Sequence, residues 1–175
     1  MVDVETTGPV PSLSSMFWFG AVIVEPGLEH SFEGRLCPLP EHLPSLRDDN
    51  IGLHLSRKTV QEVRTWSDPE ETMRVFEAWL QMQSIARKDE RILLLSDNNG
   101  FDAMFMSWYF YRFVGRNPFG HSSMNIGSLY KGIVRNMRHN FKHLRKTQHT
   151  HNPVDDARGN AEAFLTFTRL MQGTS

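Results

Sequence analysis

A chain of 175 residues with formal net charge −1, 39% apolar and 22% charged residues reads as one globular domain over 1–175, long enough to bury a core. No apolar run approaches the roughly 20 residues that span a bilayer, and "MVDVETTG" at the start has neither the basic nor the apolar stretch of a signal peptide. Cys37 is the single cysteine, which excludes an intrachain disulfide and suits a soluble protein of the reducing cytoplasm.

Met1–Glu5 reads as the end of a first strand. Beyond the turn "TTGPVPSLSS", residues 15–24 ("SMFWFGAVIV") form a second strand, and the alternation in 28–36 predicts a third, the three making an antiparallel meander. "CPLPEHLPS" is a proline-rich surface connection. In "SRKTVQEVRTW" (56–66) Val60 and Val63 follow a helical period, with Ser56 as the expected N-cap. The next helix starts at Asp68, with Pro69 in its first position and Glu70 and Glu71 behind it; Met73, Phe76, Trp79, Leu80 and Met82 are its expected apolar face. "RILLLSD" (91–97) is a short buried strand that ends at "NN", before a largely buried helix in 100–115. "NPFG" breaks the chain, and shorter helices are expected within 126–146.

The last helix is expected to begin at Asn152 as N-cap with Pro153 in the first position, and Asp155 stands where a capping box wants an acid. Ala157, Ala161, Phe164, Leu165 and Leu170 would be its buried side. Strands followed by helices around a further strand predict an α/β fold with a mixed sheet.

Charge is segregated. From Ala103 to Val154 there is no Asp or Glu, while Arg112, Arg116, Lys131, Arg135, Arg138, Lys142, Arg145 and Lys146 bring +8, against −9 elsewhere. A solvated basic face is the plain explanation; a surface for polyanions is the sharper one. Trp108, Tyr109, Phe110, Tyr111, Phe119, Tyr130 and Phe141 are interleaved with these cations. Most are expected in the core, with one or two free to stack on bases.

Asp3 and Glu5 are two apart on a strand, so both carboxylates leave one face, where they repel unless a cation or proton lies between them. Asp102 follows "SDNNGF" at the C-terminal end of a buried strand, a place where open α/β sheets put ligands. Asp156 lies in a first helical turn, beside His151 just outside it. Each alone is explained as a solvent-facing pair or a favourable helix-end charge. Together they would suit hard divalent cations beside a histidine able to deprotonate water.

"VDVETTG", "NNGFD" and "HNPVDDA", in that order, resemble the three motifs of the DEDD superfamily of 3′-5′ exonucleases. Asn152, four before Asp156 where the other branch has tyrosine, favours the histidine branch, which includes oligoribonuclease, ribonuclease T and proofreading subunits. The resemblance implies a ribonuclease H-like fold, with a three-strand meander plus parallel strands flanked by helices. It further implies hydrolysis from the 3′ end of single-stranded RNA or DNA, releasing nucleoside 5′-monophosphates. Carried over, Asp3, Glu5, Asp102 and Asp156 would bind two divalent cations, Mg²⁺ or Mn²⁺. His151 would be the general base. Thr6, Thr7 and Gly8 would hold the 3′-terminal nucleotide, and Asn98 would orient the site. "SRKTVQEVRTW" resembles a segment of small members, which often form homodimers. The alternative is an inactive nucleic-acid-binding module on the same fold.

Two features depart from the family pattern. Met1 falls inside the first strand, so a native start upstream is one expectation. Asp97 stands where relatives often have a neutral residue or histidine, adding charge near Asp102. His139, His143, His149 and His151 invite a zinc reading, disfavoured because no cysteine or second spaced pair completes a set; His149 is expected at the surface or on a phosphate. The methionines are expected to be core filling.

Overall fold

In a computed structural model that describes residues 1–88 and 91–172 (the side chains of 170–172 excepted), alternation along β1 (Val2–Thr6) sends Val2, Val4 and Thr6 inward and leaves Asp3 and Glu5 on the other face. β1 pairs antiparallel with β2 (Met16–Val22), which pairs antiparallel with β3 (Ser31–Arg35). Asp3 lies opposite Gly20 and Glu5 opposite Trp18. β4 (Leu94–Ser96) lies beside β1 and pairs in parallel with β5 (Ser123–Asn125). The expected α/β architecture is therefore present, with its hydrogen bonding divided into a three-strand and a two-strand ladder.

β2 is buried along its whole length because both faces are covered. Phe19 and Ala21 join a cluster with Phe76 of α3 (Pro69–Arg87) and Phe105 and Tyr109 of α4 (Asn99–Phe113). Val22 joins Ile126 and Tyr130 of α5 (Ile126–Ile133) and Phe167 of α6 (Pro153–Gln172). Phe17 and Trp18 pack with Leu53 of α1 (Ile51–Leu55) and Val63 of α2 (Val60–Arg64). Each such large side chain, fully buried, contributes about 1.5–3 kcal/mol. The Met1 ammonium donates to the Val22 carbonyl, and burial pulls its pKa down to about 5.

The caps expected at Asp68–Pro69 and at Asn152 are present: Asp68 accepts from the N–H groups of Glu70 and Glu71, and Asn152 from those of Val154 and Asp155. Other expectations are corrected. Thr59, not Ser56, caps α2; Ser56 closes α1, a five-residue helix whose cap is Asn50. Asp155 does not complete a capping box, because the Asn152 N–H donates to Thr150 Oγ1, whose hydroxyl in turn reaches Asp155. Met82 is 60% exposed, and Met137 also faces solvent, so not all methionines fill the core. On α6, Ala163 and Phe167 are buried more completely than Phe164 and Leu165; Leu170 falls outside the described side chains. Tyr109, Phe110, Phe119, Tyr130 and Phe141 are core, whereas Tyr111 is exposed. Among the described residues no helix is long and apolar enough to cross a membrane.

Candidate active site

Three of the four singled-out carboxylates converge. Asp3 and Glu5 of β1 and Asp156 of α6 each offer an oxygen within 4.8 Å of the others. Asp102, in the first turn of α4, does not share that circle with all three, yet its charge acts on both Asp3 and Glu5. Its carboxylate is held by the Ser96 hydroxyl and by the backbone of Val4 and Asn98, which ties α4 to β1.

The acids are strained electrostatically. Burial first, then the charges of Asp102, Asp156 and Glu5, push Asp3 well above the usual carboxylate range, with Arg145 pulling the other way. Burial raises Glu5 to about 7, opposed by the hydrogen bond from Ser56 Oγ (3.0 Å). Asp102 is raised to about 7, again by burial first. The neighbouring cation Arg145 is already engaged, its guanidinium 3.5 Å from Asp97 and donating to Asn160 Oδ1. Asp97 pairs with Arg145, yet its charge still acts on Asp102 and helps to raise it, the added charge near Asp102 expected from the sequence. A crowded, mostly buried oxygen set whose neighbouring cation Arg145 is already engaged fits a hard divalent cation.

The segment entering α6 wraps Asp156. Its two oxygens accept from the backbone N–H groups of Thr150 (3.1 Å) and His151 (3.0 Å), and the side chain is 1% exposed. His151 pays for this turn with a left-handed backbone, φ 58°. Its Nδ1 lies 3.5 Å from Glu5 Oε1. Burial, then the His149 charge, lowers the His151 pKa, with Asp156 opposing. His149, expected at the surface or on a phosphate, is half-exposed, yet its Nδ1 lies 2.9 Å from Asp156 Oδ2. His143 instead meets the Tyr130 ring.

One cleft borders the acids at Glu5, and a second, polar groove lies beside Asp97 and Asn98. Val4, Glu5, Thr6, Gly8, Ile51, Leu55 and Phe101 contribute to the first, of 340 Å³, with largely apolar walls. Thr6 Oγ1 donates to the Gly8 carbonyl, shaping its rim. Thr7 is not brought to this cleft: its hydroxyl accepts from the Ser15 N–H and its carbonyl from Asn50, so it supports the turn. The backbone of Asn98 holds Asp102, as an orienting residue would, and the residue also lines the polar groove of 290 Å³ with Asp97, Asn125, Lys131, Asn140 and Lys142.

Gly20 and Ser56 are site residues that the motifs do not reveal. A Cβ on Gly20 would lie 2.3 Å from the Pro153 carbonyl, so the bare backbone is what lets the start of α6 reach β1's partner strand. The only local trace of this is a glycine inside an aromatic strand. Ser56 leaves no such trace, since its partner Glu5 is 51 positions away.

No family model matches the chain. Its structure resembles the zinc-ion-bound crystal structure of the Escherichia coli ExoI–ssDNA complex, with TM-score 0.57 and 17% identity over 99% of this chain, a likeness of fold alone. The chain spans 40% of that structure's chain. In sequence it is 31% identical to the 3′-5′ DNA exonuclease Cap18 of Escherichia coli over 179 residues, covering 98% of this chain and 91% of the relative. With that identity along nearly the full length of both proteins, the chain belongs to the 3′-5′ exonuclease family.

Proposed function

We propose that this exonuclease shortens single-stranded DNA from its 3′ end, releasing nucleoside 5′-monophosphates, with two Mg²⁺ or Mn²⁺ ions held by Asp3, Glu5, Asp102 and Asp156 and with His151 as general base. The observation that carries this reading is the convergence of Asp3, Glu5 and Asp156 within 4.8 Å, with the His151 imidazole 3.5 Å from Glu5. Cap18 is named a DNA exonuclease and ExoI is complexed with single-stranded DNA, which supports DNA as substrate.

When bound, divalent cations in such an oxygen set supply neutralisation of the phosphate and acidification of water. The chain's own groups do the rest. His151, with its pKa lowered, is neutral near pH 7 and has a ring nitrogen free to take the proton of the attacking water. Water oxygen adds to phosphorus, the bond from phosphorus to the 3′ oxygen of the penultimate nucleotide breaks, and that oxygen takes a proton from solvent. The shortened strand thus keeps a 3′-hydroxyl. Ile51, Leu55 and Phe101 offer apolar contact to the terminal base, while Thr6 and Gly8 shape the edge where its sugar would lie. Lys131 and Lys142, which have no acid partner among the described residues, would meet upstream phosphates in the groove that holds Asn98.

The test is digestion of matched 5′-labelled DNA and RNA single strands with Mg²⁺ or Mn²⁺. A ladder shrinking from the 3′ end, faster on DNA and absent in EDTA, is expected. His151→Ala should slow it by about 10²- to 10⁴-fold with Mn²⁺ still bound. No 3′ shortening under either ion would overturn the reading; faster RNA digestion would overturn the choice of sugar.

A further inference from the structure

His149 has no part in the hydrolysis proposed above, yet it is aimed at it. Its Nδ1 lies 2.9 Å from Asp156 Oδ2, its ring stands 4.3 Å from that of His151, and His149, His151 and Asp156 each offer one ligand atom within 4.8 Å of the others. We infer that His149, His151 and Asp156 form a second metal site, selective for Zn²⁺ and similar borderline cations, that shuts the exonuclease off when filled.

The donor types carry the selectivity. Asp3, Glu5 and Asp156 offer only oxygen, which suits Mg²⁺ or Mn²⁺. Two imidazoles and one carboxylate match the three-ligand zinc sites that keep a fourth position for water, and nitrogen donors favour later transition metals. Geometry agrees. Tetrahedral bonds of about 2.0–2.1 Å set ligand atoms about 3.4 Å apart, so donors already within 4.8 Å need only modest side-chain rotation. Asp156 is fixed by the N–H groups of Thr150 and His151, whereas the two imidazoles are 51% and 31% exposed and can adjust. An ion between His149 and Asp156 would replace the close contact of 2.9 Å that now joins them.

Inhibition follows from sharing. Asp156 belongs to both donor sets, and His151 cannot accept a proton from water while its nitrogen is bound to a metal. Filling the imidazole site therefore removes both from the hydrolytic arrangement. This consequence rests on the function proposed above; the site itself does not.

The experiment separates the two. On the full chain stripped with EDTA, Zn²⁺ affinity is measured by competition with a chromophoric zinc chelator, and Co²⁺ is added to read coordination from its visible spectrum. One Zn²⁺ with a tetrahedral Co²⁺ spectrum is expected. His149→Ala and His149→Gln should each weaken Zn²⁺ by at least about tenfold, while Mn²⁺ affinity, read by electron paramagnetic resonance, stays within a factor of about three. In the presence of saturating Mg²⁺, Zn²⁺ should stop DNA digestion by the natural chain, and either variant should need at least about tenfold more. Zinc affinity unchanged in both variants, or lost with Asp3→Asn instead, would put the ion among the oxygens and overturn the inference. If no DNA digestion is seen at all, the chelator and Co²⁺ measurements still decide the site.

Discussion

Gly20→Ala tests whether the approach of α6 to the meander assembles the site. Gly20 lies opposite Asp3, and a Cβ there would be 2.3 Å from both Pro153 C and O and 2.4 Å from Val154 N. Ordinary contact begins at 3.4 Å, so the colliding atoms must part by 1.1 Å. They are main-chain atoms of the first turn of a helix, which no side-chain rotation can relieve. The strand or the start of α6 must move, and Asp156 and His151 move with it relative to Asp3 and Glu5. Overpacking of this kind costs about 1–3 kcal/mol, a loss of roughly 2–12 °C in melting temperature for a domain of this size. A displacement of about 1 Å at reacting groups costs on the order of 10²-fold in rate.

Thermal melting with and without Mn²⁺, combined with single-turnover digestion of a labelled strand, reads both effects. Gly132→Ala is the control: it lies in α5 with no atom within 4 Å of the added carbon, so it should hold activity and gain about 0.5–1 kcal/mol. Gly20→Ala that digests within about threefold of the natural chain and melts with it would refute the reasoning.

Metal-free stability should fall as pH rises. Glu5 and Asp102 have folded pKa values of about 7 against ordinary values of 4.5 and 3.8, so the folded chain holds protons that the unfolded chain has released between those limits. Melting in EDTA should therefore drop progressively from about pH 4 through pH 7, and Mn²⁺ should restore it most at the high end; higher metal-free stability at pH 8 than at pH 5 would contradict this. Ser56→Ala removes the donor to Glu5 Oε2, raising Glu5 further. Mn²⁺ should bind about five- to thirtyfold more weakly near neutral pH, the equivalent of 1–2 kcal/mol, and the pH profile of digestion should move upward; an unmoved profile would sink that role. Replacing both Lys131 and Lys142 by Gln should flatten the log–log salt dependence of single-strand binding by about 1.4, measured by fluorescence anisotropy, and an unchanged slope would remove the groove from the strand's path.

Signals that act within a few residues are legible in the sequence itself. Asp68–Pro69 and Asn152–Pro153 start α3 and α6 because a cap and its N–H partners are sequence neighbours. The alternation of β1 puts both acids on one face for the same reason. What escapes is set by distant partners. β5 is three residues, "SMN", with no period of its own; it is a strand because β4 lies alongside. Ser56 looks like a cap for the helix after it, and its hydroxyl instead turns back to Glu5. That Asp97 adds charge beside Asp102 is legible, but its pairing with Arg145, from the far end of the chain's basic stretch, is not.

The convergence at Asp156 shows why local and distant signals disagree most at this place. A chain optimised for stability would not bury Asp102 and Asp156 to 4% and 1% exposure beside Asp3, since each raises the free energy of its neighbours in the charged form. Nor would it give His151 a left-handed backbone where glycine sits more easily. The two meet at Asp156: the strained His151 supplies an N–H that holds Asp156 against the other acids, while Asp102 is held from its own side by Ser96, Val4 and Asn98. Burial that opposes ionisation and a turn that aims the acids are thus one arrangement, whose electrostatic penalty a divalent cation would relieve on binding.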